Sequence, residues 1–159
     1  MRLHILHLHI LLGHWYDREV SATEIDDEAV ARHWRDLSAD FFRIAAALDR
    51  ALSSKHDLTA TEFDVLERLA GAEKGELRLA ELAGQVYLSQ SALSRLVTRL
   101  ESDGLVGRHA CDTDRRSVFA QITEKGRSTY EAARPTQRET LRATSAGCDV
   151  GTYLCDGAG

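Results

Sequence analysis

Proline is nearly absent from this 159-residue chain: Pro135 is the one instance. Long helices are therefore permitted before it, because proline is the residue that removes a backbone donor and blocks a helix interior. Cysteine is scarce too, and Cys111, Cys148 and Cys155 form an odd set without framework spacing. A disulfide-built scaffold is excluded, and reduced thiols in a cytoplasmic setting are expected. Positive charge is in deficit, with 20 Lys and Arg against 25 Asp and Glu. That argues against a non-specific polyanion binder, yet allows a local basic patch on an acidic body. No Gly-rich phosphate loop, catalytic carboxylate pair or nucleophile constellation is present. The chain is expected not to be an enzyme and to need no cofactor.

Apolar runs long enough for a membrane are missing as well. The opening "MRLHILHLHILLGHWYD" is broken by histidines, lacks a small-residue cleavage site and is too short to span a bilayer as a helix. His4, His7, His9 and His14 have no cysteine or carboxylate among them before Asp17 and no repeating spacing. Residues 1–25 therefore read as an irregular extension rather than a metal site.

Regular structure is expected from residue 26 onward. Val30, Trp34, Leu37, Phe41, Ile44, Ala45, Leu48 and Leu52 step by three and four, which predicts one buried stripe on a helix over about 27–55. The stripe serves either as core scaffold or, at its amino end, as a surface for a second chain. Thr59-Ala60-Thr61-Glu62 reads as a capping box, in which hydroxyl and carboxylate each satisfy a free backbone donor. The helix it starts carries Phe63, Val65, Leu66 and Leu69 and stops near Gly71. A short extended piece around Leu77 leads to a helix with Leu79, Leu82, Ala83 and Val86. Ser89 then caps another helix, which Gly104 ends. "LVGRHA" and "SVFAQI" are strand-like runs around a polar connector, and a further helix follows that Pro135 restarts or kinks.

This order of elements describes a mainly α winged helix-turn-helix with a small β-hairpin wing. Three segments follow the extension: 26–57, the long helix, whose amino end is open to a second chain; 58–126, the winged helix-turn-helix; and 127–159, a carboxy-terminal helix and tail.

The helix after Ser89 carries the chemistry. Leu93, Leu96, Val97 and Leu100 occupy one face, and Gln90, Ser91, Ser94, Arg95 and Thr98 the other, with Arg99 beside them. Arginine can give two hydrogen bonds to the major-groove edge of guanine, and glutamine pairs similarly with adenine. No carboxylate occurs from Gln90 to Leu100, where one would repel a polyanion. Such a face suits a recognition helix for double-stranded DNA. Arg115 and Arg116 at the hairpin turn could enter a narrow minor groove, with Asp114 close enough to orient one of them. Cys111 beside His109 and Asp112 offers a redox switch or an incidental thiol.

These residues resemble the MarR group of bacterial transcriptional regulators. "LTATEFDVLERL" looks like the family's second helix, and "LAELAGQVYLSQSALSRLVTRLESDGLVGR" is similar to its helix-turn-helix. "DRRSVFAQITEKG" matches the wing pattern Asp-x-Arg, five residues, an aliphatic residue, Thr, two residues, Gly. The resemblance implies a homodimer on a pseudopalindromic operator, usually a repressor released by a small, often phenolic ligand. It implies that Asp114 braces Arg116, and that Ser89, Gln90, Ser91, Ser94, Arg95, Thr98, Arg99, Arg115 and Arg116 form the DNA-binding set. A small aromatic effector would lodge between the dimerisation helices and the DNA-binding lobe. Trp34, Phe41 and Phe63 are candidates to line that space, although their helical spacing also suits core positions. The ends depart from the pattern: the sequence after Pro135 loses apolar periodicity, so the family's last long helix is expected to be missing. A winged-helix interaction module without DNA reading, and a metal- or thiol-responsive regulator, are the alternative functions.

Overall fold

The computed structural model describes residues 26–110 and 117–145. The elements are α1 (Asp27–His56), α2 (Ala60–Gly71), β1 (Glu76–Arg78), α3 (Leu79–Gln85), α4 (Gln90–Ser102), β2 (Val106–Ala110), β3 (Val118–Ile122) and α5 (Glu124–Ser145). The chain divides into two units between Ala39 and Asp40, so Asp27–Ala39 of α1 lies in the first and all later elements in the second.

α1 follows from a stretch free of Gly and Pro, with Asp27 and Glu28 in its first turn and Lys55 and His56 in its last. Those charges oppose the partial charges of the helix ends. Its stripe is not buried throughout, contrary to the pattern-based expectation. Leu52 is fully buried and Ile44, Ala45 and Leu48 are half-buried, but Val30, Trp34, Leu37 and Phe41 are exposed. Periodicity reports that a face is apolar, not what covers it.

α2 begins at the expected capping box. The Thr59 hydroxyl accepts from the Glu62 N–H at 3.2 Å, and the Thr59 N–H donates to Glu62 Oε2 at 2.8 Å. Phe63, Val65, Leu66 and Leu69 of this helix join Leu82, Leu93, Val97 and Leu100 in one buried cluster. Each fully buried leucine contributes about 2 kcal/mol. On α2 and α5, Glu67 accepts from both the Tyr130 phenol and the Arg138 guanidinium.

The wing is a larger sheet than a hairpin. β1 pairs antiparallel with β3, which also pairs with β2, giving the order β1-β3-β2. The extended piece at Leu77 thus becomes a third strand. Ala120, Ile122 and Val106 are buried against the core. Phe119 is in register with Arg78 and His109. Its ring stacks on His109 at 5.5 Å and lies 5.5 Å from the Arg78 guanidinium.

The Thr-x-x-Gly spacing at the end of the wing has a steric cause. Thr123 Oγ1 accepts from the Gly126 N–H at 3.0 Å and donates to the Gly104 carbonyl at 2.8 Å. A Cβ on Gly126 would stand 2.0 Å from the Leu105 carbonyl oxygen, so no larger residue fits without a backbone shift. α5 then runs through Pro135 as one helix to Ser145, correcting the expectation of a restart there. Pro135 is on the exposed side, where water can satisfy a carbonyl that loses its helical donor.

Candidate nucleic-acid interface

The site begins in the turn between α3 and α4. The Leu88 N–H donates to the Ala83 carbonyl at 3.0 Å, and the Tyr87 N–H to the Gly84 carbonyl at 3.4 Å. This is the Schellman arrangement, which places the residue after the cap in left-handed conformation. Tyr87 occupies that position with φ +56°. The end of α4 repeats the motif, with Leu105 N–H donating to the Leu100 carbonyl at 2.8 Å and Gly104 N–H to the Glu101 carbonyl at 3.0 Å. There the left-handed residue is Gly104, φ +72°. The other positive-φ positions among the described residues are Asp57 and Gly75. Glycine takes this conformation freely and a short polar residue tolerates it, whereas a bulky side chain is strained by roughly 1–2 kcal/mol.

α4 opens with Ser89 as N-cap, its hydroxyl accepting from the Ala92 N–H at 3.2 Å and lying 3.2 Å from the Ser91 hydroxyl. Leu93, Val97 and Leu100 are buried, with Leu96 partly buried against the same cluster. That leaves Ser89, Gln90, Ser91, Ser94, Arg95, Thr98 and Arg99 exposed. The helical face read from the sequence is thus brought together on one surface, about three turns long and without a carboxylate.

Besides the Ser89 cap and its Ser91 neighbour, two of these residues are engaged within the chain. Arg99 Nε is 3.2 Å from Oε1 of Glu62, whose side chain is only 3% exposed. The other carboxylate oxygen of Glu62 serves Thr59, so one buried group ties α4 to the start of α2. Asp49 of α1 joins the same junction by accepting from the Ala60 N–H at 2.7 Å. The Thr98 hydroxyl donates to the Ser94 carbonyl and accepts from the Arg108 guanidinium on β2. Arg108 also binds Glu101 at 2.9 Å, so the first carboxylate beyond the face is neutralised locally. Sequence reasoning did not single out Glu62 as Arg99's partner, nor Arg108 or Tyr87. For Tyr87 the signal was present: a helix ends at "LAGQ" and no glycine follows at the position where its cap needs one.

The wing residues Asp114, Arg115 and Arg116, and Cys111, lie outside the described residues. Of the three aromatic candidates for an effector space, Phe63 is 2% exposed and packs at 5.4 Å from the Tyr130 ring, which makes it core. Trp34 and Phe41 are 55% and 65% exposed, so the core reading does not hold for them.

The fold is shared with known proteins. The chain is similar to AbsC from Streptomyces coelicolor, a MarR family transcriptional regulator, at 30% identity over 78% of this chain and 82% of that one, with a TM-score of 0.68. The chain belongs to the MarR family. The sequence profile of the MarR family matches residues 58–118. A second solved MarR family regulator from S. coelicolor, Sco3205 in complex with DNA, is 28% identical over 77% of this chain and 78% of that one, TM-score 0.69. Among curated relatives, the HTH-type transcriptional regulator MhqR of Bacillus subtilis (strain 168) is 44% identical over 72 residues, 45% of this chain and 48% of that protein. The chain spans about half the length of the curated relatives it matches. MarR family membership makes the chain a relative of transcriptional regulators rather than of enzymes. No helix among the described residues is long and apolar enough to cross a membrane.

Proposed function

We propose that this chain is a sequence-specific DNA-binding transcriptional regulator that reads the major groove with α4. The observation that carries the reading is the exposed, carboxylate-free face of Gln90, Ser91, Ser94 and Arg95 on a helix held from behind by buried leucines. The solved complex of Sco3205 with DNA supports the same use of the fold. Gln90 carries a paired donor and acceptor and Arg95 paired donors, the groups that distinguish bases, while Ser89, Ser91 and Ser94 serve bases or phosphates. Thr98 and Arg99, having partners within the chain, orient the helix more than they contact DNA. Arg115 and Arg116, with Asp114 bracing Arg116, supply the minor-groove contact in this reading.

The regulator acts as a cytoplasmic homodimer and a repressor in the same proposal. Exposed Phe41 and Phe42 on α1, together with Val30, Trp34 and Leu37, are the apolar side chains such a dimer would cover. Two reading heads on one pseudopalindrome raise affinity by making the second contact intramolecular. Release by a small aromatic effector rests on the family resemblance. Its physical route is a shift toward a spacing of the heads that misfits the operator.

The test is a fluorescence-anisotropy titration with duplex from upstream of the chain's own gene, against a scrambled duplex, at two salt concentrations. Preference for the native duplex at two chains per site is the expected result. Equal, weak and strongly salt-dependent binding to both duplexes would mean that only phosphate contacts exist, and the reading would fail.

A further inference from the structure

We propose that Arg108 is a positioning residue for DNA reading: by pairing with Glu101 it keeps that carboxylate from repelling the duplex that α4 approaches. The inference rests on the DNA-reading proposal above and adds to it a strand residue that need not touch DNA. Gln90, Ser94, Thr98 and Glu101 follow one another at steps of four, four and three, so they form one line along α4. Glu101 therefore ends the line that begins with the exposed Gln90. It lies about 10 Å along the helix axis from Ser94 and Arg95. That is about one screening length at 0.1 M salt, so a bare carboxylate there acts on phosphates held by this face. Its side chain is 42% exposed, and the body of the protein does not shield it.

Arg108 is the group that answers this charge. It stands on β2 in register with the buried Ala120, so its side chain leaves the sheet on the face turned toward the core and α4. Its Nε and Nη2 both lie 2.9 Å from Glu101 Oε2, and Nη2 also donates to the Thr98 hydroxyl. That hydroxyl in turn donates to the Ser94 carbonyl at 2.8 Å. The guanidinium is thus fixed by two residues of α4 about one turn apart. Arg99 offers no substitute, because buried Glu62 engages it. An ion pair this open to water adds little to fold stability. Its larger consequence is electrostatic: it decides whether the line from Gln90 ends in a bare carboxylate or in a neutral pair.

The full chain is titrated by fluorescence anisotropy against duplex from upstream of its own gene and a scrambled duplex, across a salt series, with thermal melts alongside. Arg108→Gln keeps a donor beside Glu101 and Thr98 and removes the charge. It is expected to bind the native duplex about tenfold more weakly at low salt, the deficit shrinking as salt screens the repulsion. Adding Glu101→Gln to Arg108→Gln removes both charges and should restore the parent's affinity to within about twofold. Arg108→Lys keeps the charge without the forked geometry and should also bind within about twofold of the parent. An arginine with a merely structural role gives no rescue in the double variant, and one that bonds a phosphate itself gives none either. A double variant as weak as Arg108→Gln therefore overturns the proposal, as does parent-like binding by Arg108→Gln. Should Arg108→Gln melt too low to titrate, Arg108→Lys and Glu101→Gln decide. Parent-like or tighter binding by both then sustains the proposal, and a loss of about tenfold in either overturns it. A parent that does not prefer the native duplex overturns the DNA-reading proposal and this inference with it; the parent's own titration separates that failure from the others.

Discussion

At the amino end of α4, Gln90, Ser94 and Arg95 stand exposed, and their side chains have no partner in the structure among the described residues. From Thr98 onward the same helix is clamped: Arg99 to buried Glu62, and Thr98 and Glu101 to Arg108. The difference is in what surrounds each half. The carboxy half passes between the start of α2 and the strand β2, so its polar groups find fixed partners, whereas the amino half projects past the turn. Side chains without internal partners keep their hydrogen-bonding capacity for a ligand, and partnered ones hold the helix at a fixed angle. An exposed half and an anchored half are thereby separated along a single helix.

Substitutions at the two ends should give different signatures, stability at one and recognition at the other. The largest effect is expected from Gly126→Ala, which drives a methyl into the Leu105 carbonyl just beyond the anchored end. A loss of roughly 3 kcal/mol, or about 10 °C in Tm, should appear in thermal melts. Arg95→Ala should weaken binding to the specific duplex by roughly 1–3 kcal/mol in anisotropy titrations and relax preference at one base position. Its Tm should stay with the parent's; a matching loss of stability would place Arg95 at the anchoring end and dissolve the contrast. Glu62→Ala removes both the cap carboxylate and Arg99's partner, and should cost about 1–2 kcal/mol of stability by chemical denaturation. It also frees Arg99, so the salt dependence of binding to scrambled DNA should steepen by up to about one unit. Gly104→Ala should be the mildest, near 1 kcal/mol of destabilisation, from backbone strain alone, since the nearest atom to an added Cβ is Lys125 Cδ at 3.9 Å.

The exposed end was legible in the residues because everything that makes it is local. The Ser89 cap bonds three residues ahead to Ala92, and the spacing of Leu93, Val97 and Leu100 puts the polar residues on the other side. Thr59 and Glu62 announce their capping box for the same reason. The anchoring end was not legible. Arg99 reads from sequence as one more cation on a polar face, and only the approach of α2 turns it toward Glu62. The pairing of the extended piece at Leu77 was hidden likewise, because nothing local names β3 as its partner. Trp34 and Phe41 show the limit of periodicity from the other side, as apolar residues in a clear helical stripe that remain exposed.

What the sequence by itself determined is the set of elements, their caps and the composition of the face that α4 presents, since each follows from contacts within a turn or two of helix. Only the tertiary structure decided which polar residues of α4 are available and which are consumed. It also decided that Gly126 must be a glycine, because its neighbour is the Leu105 carbonyl. Those outcomes depend on groups far apart in the chain meeting at hydrogen-bond or van der Waals distance, and no local pattern records such meetings.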